Sequence, residues 1–89
     1  MEIINQLKYI AMAECVNTYE LEITQEPYGT FDEAVEVLLE QLGDEYSHRH
    51  HWLCKVLAIG IDGEIHKVYF ARTGTDKPST DPDVWSKLW

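Results

Sequence analysis

The sequence feature that most limits the fold is a nearly continuous apolar run at positions 52–61. Its one charged residue is Lys55. Runs of this length and composition are typical of a strand that is buried on both faces. The run therefore predicts a central strand, around which the rest of an 89-residue chain must be arranged as one domain.

A tight reversal of the chain is predicted directly after this run, at Asp62 and Gly63. An Asp-Gly pair favours a two-residue type I′ turn, because both central positions of that turn take positive φ. In a hairpin with a two-residue loop at these positions, Ala58 would pair with Lys67. We predict an antiparallel β-hairpin over about 51–61 and 64–72.

The sequence also defines an amphipathic helix over positions 30–42. Thr30, followed three residues later by Glu33, forms a capping-box pattern, in which the hydroxyl accepts a backbone N–H of the first turn. Gly43 follows the last apolar residue and favours a C-terminal cap with positive φ. The apolar residues recur at three- and four-residue spacing and predict one buried face, formed by Phe31, Ala34, Val35, Leu38, Leu39 and Leu42.

A short strand is predicted before this helix, at positions 18–25. Apolar and polar residues alternate there, which is typical of a half-buried strand. The predicted inward residues are Tyr19, Leu21 and Ile23, and the predicted outward residues are Glu20, Glu22 and Thr24. Positions 3–15 fit helical spacing and contain good helix formers, so a helix is favoured, with a strand over positions 8–15 as the alternative.

Near the C terminus, Pro82 stands where a first helical residue is expected. A short final helix would place on one face Val84, Trp85, Leu88 and Trp89. We expect Trp85, Leu88 and Trp89 to close the core; if exposed, they would be anchors for a partner. All elements together predict a small single-domain α+β sandwich, in which helices pack on one face of an antiparallel sheet.

Negative charge is concentrated in the first half of the chain. The net charge is −9, and positions 9–48 contain no Lys or Arg. Direct binding to nucleic acid or to an anionic membrane needs basic surface, so both are excluded as expected functions. On the outer face of the predicted helix, Asp32, Glu36 and Glu40 form a line of carboxylates spaced by about 6 Å.

This acidic stripe, defined as Asp32, Glu36 and Glu40, has two interpretations. The first is a solvated face that serves solubility. The second is a binding surface that mimics the phosphate backbone and docks on a basic host protein or nucleoprotein complex. The predicted surface would also include Asp44, Glu45, Glu20 and Glu22. In size and charge alone, the chain resembles small inhibitors made by phages and mobile elements, some of which are anti-CRISPR proteins that act as DNA mimics.

A cluster of histidines carries the alternative hypothesis of a metal-binding or pH-sensing domain. The candidate ligands are His48, His50, His51 and Cys54. Histidine and cysteine are ligands of zinc, and histidine titrates near neutral pH. The standard paired cysteine spacings of structural zinc sites are absent, so we expect no cofactor and interpret the cluster first as a polar connection.

No arrangement of nucleophile, base and oxyanion donor is present in the sequence, which predicts a protein without enzymatic activity. Cys15 and Cys54 do not form a cysteine framework, and no signal peptide or transmembrane run is present. We therefore expect free thiols and a cytoplasmic location. A third hypothesis is a structural homodimer with no other ligand.

Overall fold

The apolar run forms the central strand that the sequence predicts. The computed structural model describes residues 7–16, 20–43, 52–73 and 78–88. Within these ranges the chain forms a five-stranded antiparallel sheet and one α-helix. In chain order the elements are β1 (Lys8–Cys15), β2 (Leu21–Ile23), α1 (Phe31–Leu42), β3 (Trp52–Ile59), β4 (Ile65–Thr73), a 3₁₀ turn (Pro82–Val84) and β5 (Ser86–Lys87). The strand order β2-β1-β3-β4-β5 confirms that β3 is central.

The predicted hairpin is formed by β3 and β4. Ala58 pairs with Lys67, as expected. Beyond this pair the register shifts, so that Ile59 pairs with Ile65 and His66 is the extra residue of a β-bulge. Bulges turn the strand locally and are common next to a loop. The register of the long part of the hairpin was therefore predictable, whereas its end was not.

The turn of the hairpin has three loop residues, positions 61–63, so the prediction of a two-residue type I′ turn was wrong. The Gly60 N–H donates to the Glu64 carbonyl at 2.9 Å, and the Gly63 N–H donates to the Gly60 carbonyl at 2.9 Å. Gly63 has a φ of 82°, as in loops that end in a glycine bulge. The Asp62 carboxylate accepts the Glu64 N–H at 3.0 Å and stabilises this longer turn.

We predict that Gly63→Val lowers the free energy of unfolding by about 1–3 kcal/mol, because a β-branched residue is strained at positive φ. Urea denaturation of the variant measures the loss. Gly29→Val is the matched control, since a side chain added at Gly29 meets open space and no positive φ is found there. A loss at Gly63 no larger than that at Gly29 would contradict the left-handed conformation.

The helix α1 begins and ends where the sequence predicts. The Thr30 hydroxyl accepts the Glu33 N–H at 3.2 Å, which is the predicted N-terminal cap. Gly43 ends the helix with φ 57° and ψ −141°, a conformation that glycine adopts without strain, and its N–H donates to the Leu39 carbonyl. The buried residues of the helix are Phe31, Ala34, Val35, Leu38 and Leu42.

The core lies between α1 and one face of the sheet. Three strand alanines, Ala11, Ala13 and Ala58, are fully buried under the helix layer, where their small side chains allow the helix backbone to approach. Larger side chains fill the remaining space, and Phe31 packs edge-on against Tyr69 with ring centroids 4.8 Å apart. Among the described residues, the buried apolar core consists of Ala11, Ala13, Cys15, Phe31, Ala34, Val35, Leu38, Leu42, Trp52, Cys54, Val56, Ala58, Tyr69 and Trp85.

The favoured prediction of a helix over positions 3–15 was wrong for the described part of that segment. Strand β1 pairs along its whole length with β3, from Lys8 opposite Ile59 to Cys15 opposite Trp52. Helix propensity differs among ordinary residues by only a few tenths of a kcal/mol each, so a complete set of sheet hydrogen bonds and the burial of alternate residues outweigh it.

The predicted faces of the strand before the helix were also wrong. Leu21 and Ile23 are 60% and 44% exposed, whereas Thr24 is 4% exposed. The Thr24 hydroxyl accepts the Ala11 N–H at 3.2 Å, which satisfies this buried polar group. The element itself is shorter than predicted, and Tyr19 lies outside the described residues. Glu22 is half-buried, on the side of the sheet that carries α1.

The predicted C-terminal helix is a single 3₁₀ turn, Pro82–Val84, followed by the short strand β5. Trp85 is buried, as predicted, with 4% of its surface exposed. Leu88 is 60% exposed, so the prediction that it shares a buried helix face with Trp85 was wrong. The Leu88 N–H donates instead to the Val68 carbonyl at 2.8 Å and continues the pairing of β5 with β4. Trp89 lies outside the described residues.

The two faces of the sheet differ in their covering. Along β3, the residues beneath α1 are buried, whereas Leu53, Leu57 and Ile59 on the other face are half-buried and Lys55 is exposed. The prediction that this strand is buried on both faces was therefore wrong for one face. The described elements together form a small α+β domain in which strand residues predominate. Among the described residues, no helix has the length and apolar character needed to cross a lipid bilayer.

Candidate partner-binding site

The acidic stripe lies on the outer face of α1. Asp32, Glu36 and Glu40 are all exposed, and the helix turns its apolar residues to the sheet. Successive carboxylates are separated by about 6 Å of helix rise. The repulsion within such a row costs a few tenths of a kcal/mol per pair, so the stripe is a small but real cost to the stability of the helix.

The first carboxylate of the stripe is held in its charged form by the helix N terminus. A hydrogen bond from the Thr30 hydroxyl, together with the backbone N–H groups of Glu33 and of Asp32 itself, lowers the pKa of Asp32. The last turn of α1 contains no basic residue that would offset the negative end of the helix dipole. Exposed acidic side chains thus extend along the outer side of the helix from Asp32 to Glu40.

The predicted strand residues lie beside α1, at the edge of the sheet. Glu20 is exposed, and Glu22 is half-buried. Glu22 lines an open groove of about 410 Å³ between the helix and the edge strand. We call this groove the acidic groove; its lining residues are Glu22, Gln25, Glu26, Tyr28 and Gln41.

Sequence reasoning missed the acidic groove. The side-chain amide of Gln41 donates to the Ile23 carbonyl at 3.1 Å, which joins the C-terminal half of α1 to β2. This contact satisfies an outward carbonyl of an edge strand and so protects that edge. Glu26 lies three residues after the end of β2 and adds a carboxylate to the groove wall. The signal for the groove in the sequence was the polar residue Gln41 next to Glu40. A polar residue there is equally typical of an ordinary solvated helix position.

In the described part of the chain, α1 and β2 themselves contain no Lys or Arg. Lys8, Lys55 and Arg72 belong to the face of the sheet that α1 leaves uncovered. Lys67 and Lys87 lie on β4 and β5, and their register with Ala58 and Tyr69 places them on the α1 side of the sheet. The Lys87 ammonium is 5.9 Å from the centroid of the Tyr69 ring. The fold therefore converts a one-sided charge distribution in sequence into one acidic layer, formed by the stripe and the acidic groove.

The remaining predicted site residues of the acidic surface, Asp44 and Glu45, lie outside the described residues. The same holds for His48, His50 and His51. Cys54 is fully buried in the core, and burial raises the pKa of its thiol to about 12. This environment disfavours the thiolate that a metal ion would require. Within the described ranges, no group of three or more His, Cys, Asp or Glu side chains is placed to hold a metal ion.

A second histidine environment is described at the hairpin. The His66 Nε2 atom lies 3.3 Å from a carboxylate oxygen of Asp62, and both side chains are about half exposed. The Glu64 N–H first, and then His66, lower the pKa of Asp62. This pair spans the hairpin turn and is separate from the acidic layer.

No protein-family model, curated protein or solved structure matches the chain.

Proposed function

We propose that the protein is a non-enzymatic binding protein whose acidic layer docks on a basic, nucleic-acid-binding surface of another protein. The observation that carries the proposal is the exposed line of Asp32, Glu36 and Glu40 beside a groove that adds Glu22 and Glu26. A solvated helix usually interleaves lysine with glutamate, whereas α1 contains no basic residue.

The spacing of the stripe supports mimicry of a nucleic acid backbone. Phosphates on one strand of a duplex are separated by about 3.4 Å along the axis, so alternate phosphates are separated by about 7 Å. Carboxylates at about 6 Å on a helix approach this repeat. A basic channel that binds phosphates would attract the stripe by the same long-range steering. The proposal places the protein in the cytoplasm, as an inhibitor of a nucleoprotein complex such as a host defence effector.

The test compares two variants with equal net charge. Glu36→Gln with Glu40→Gln removes two carboxylates of the stripe but spares Asp32, which contacts the helix cap. Glu64→Gln with Asp83→Asn removes two exposed carboxylates that belong neither to the stripe nor to the acidic groove. Each protein is used to capture partners from a host lysate at low and high salt, and captured partners are identified by mass spectrometry.

A partner that is captured is then purified and titrated with each variant, in the presence and absence of a DNA duplex. We expect the stripe variant to bind roughly 2- to 30-fold more weakly than the control variant at low salt. We also expect the duplex to compete with the wild-type protein. Equal affinity of both variants, or binding that the duplex does not affect, would refute the proposed function.

A further inference from the structure

The face of the sheet opposite α1 is apolar and has no covering element among the described residues. Because directly paired residues of neighbouring strands project to the same side, the register assigns each side chain to a face. We call this surface the open face. Its apolar members are Ile10, Met12, Leu21, Ile23, Leu53, Leu57, Ile59, Ile65, Val68, Phe70 and Leu88, and its charged members are Lys8, Glu14, Lys55 and Arg72.

Several residues of the open face are more exposed than apolar residues of a covered sheet. Leu21 and Leu88, at its two sides, are each 60% exposed, and Ile65 is 39% exposed. None of its members belongs to the buried core or to the half-buried residues that pack against that core. Contiguous apolar patches larger than a few hundred Å² are rare on monomeric proteins and mark interaction sites.

We propose that the open face binds a second copy of this chain, which produces a four-layered dimer with the sheets inside and the helices outside. The proposal does not depend on the proposed function, since the acidic layer lies on the opposite side of the sheet. From strand spacing and rise, the open face has roughly 400 Å² of flat area, and more of accessible surface. Two such faces hide about 1,000 Å², which suits a specific dimer that dissociates on dilution.

The charged residues of the open face are self-complementary about a two-fold axis. Glu14 on β1 and Arg72 on β4 are both paired with Leu53, so they lie at the same height on either side of β3. A two-fold axis parallel to β3, between two facing sheets, places β1 of one copy over β4 of the other. Each Glu14 then faces Arg72 of the second copy. The sheets stack about 10 Å apart, a gap that the two long side chains together can span.

One residue opposes this arrangement. Lys55 lies on β3, next to the axis, where it would approach its own copy. Its aliphatic stem lets the ammonium group turn to solvent, at a cost to affinity. The dimer therefore predicts opposite effects for charged residues of the open face. Removing the charge of Lys55 should strengthen association, whereas reversing the charge of Glu14 or Arg72 should weaken it. A monomeric protein would show neither effect.

The experiment is sedimentation equilibrium of the full chain over a dilution series. The wild-type protein is expected to be in a monomer–dimer equilibrium. Leu57→Lys, at the centre of the open face, is expected to be monomeric at every concentration. Glu14→Arg alone and Arg72→Glu alone should each raise the dimer dissociation constant at least about tenfold, because the symmetry applies each change twice. The combined variant should restore the constant, and Lys55→Met should lower it.

Glu36→Arg is the matched control, because it makes the same charge change as Glu14→Arg on the opposite layer. It should leave the dissociation constant unchanged. Circular dichroism tests whether each variant is folded. If Leu57→Lys does not fold, the proposal is decided by the single and combined variants at Glu14 and Arg72. A monomer at all concentrations, larger assemblies, a dimer indifferent to these changes, or single variants that the combination does not rescue would overturn the proposal.

Discussion

Trp85→Ala is expected to lower the free energy of unfolding by about 3–5 kcal/mol, the usual cost of removing a buried tryptophan. Trp85 is 4% exposed and meets Phe31 edge to face, with ring centroids 5.2 Å apart. Its Nε1 donates to the Ser79 carbonyl at 2.7 Å. The ring thus attaches the last part of the chain to the start of α1. Small domains are stable by only about 5–15 kcal/mol, so this variant approaches the limit of folding.

Urea denaturation followed by far-UV circular dichroism measures the effect of Trp85→Ala. Trp85→Phe is the informative control, because it keeps a ring against Phe31 but loses the hydrogen bond to Ser79; we expect it to cost about 1–3 kcal/mol. Val84→Ala changes an adjacent side chain that is 67% exposed and should cost less than about 0.5 kcal/mol. If Trp85→Ala costs no more than Val84→Ala, the C-terminal segment does not close the core.

The elements that could be predicted are those whose stabilising interactions are local in sequence. The helix is an example, since its cap joins Thr30 to Glu33 and its end is set by Gly43. The hairpin is another, because Asp62 forms its hydrogen bond only two residues away, with Glu64. In each case the signal in the sequence and the contact in the structure involve the same few residues.

Long-range pairing decided the parts that could not be predicted. Strand β1 alternates between small buried residues, such as Ala11 and Ala13, and larger residues, such as Met12, on the open face. The residues alternate in size but not in polarity, so the pattern is as typical of a helix as of a strand. The hydrogen bonds to β3, some 45 residues further along the chain, together with those to β2, select the strand.

The error at β2 has a different cause. Sequence reasoning placed Leu21 and Ile23 in the core because apolar residues are usually buried. They lie instead on a sheet face that is apolar over several strands, where Ile23 pairs with Met12. Alternation shows that a strand has two unlike faces, but it does not show which face the helix covers. The polar Thr24 could be buried because Ala11 supplies its hydrogen-bond donor.

The acidic stripe was predictable, whereas the acidic groove was not. The positions of Asp32, Glu36 and Glu40 follow from the period of one helix. The groove needs β2 and α1 to lie side by side, which depends on the contact between Gln41 and Ile23. If both proposals hold, a dimer presents two acidic layers on opposite outer sides. Such a dimer could bind two basic sites with an avidity that exceeds the affinity of either.

Leu38→Ala is expected to lower the free energy of unfolding by about 2–5 kcal/mol, because Leu38 is fully buried at the middle of α1, above the central strands. Thermal and urea denaturation measure the loss. Leu39→Ala removes the same atoms from a half-buried site on the same helix and should cost clearly less. Leu38→Met keeps the volume and should cost less than about 1.5 kcal/mol. A Leu38→Ala loss below about 1 kcal/mol would mean that this face of the helix does not form the core, and the exposure of the acidic stripe on its other face would lose its structural basis.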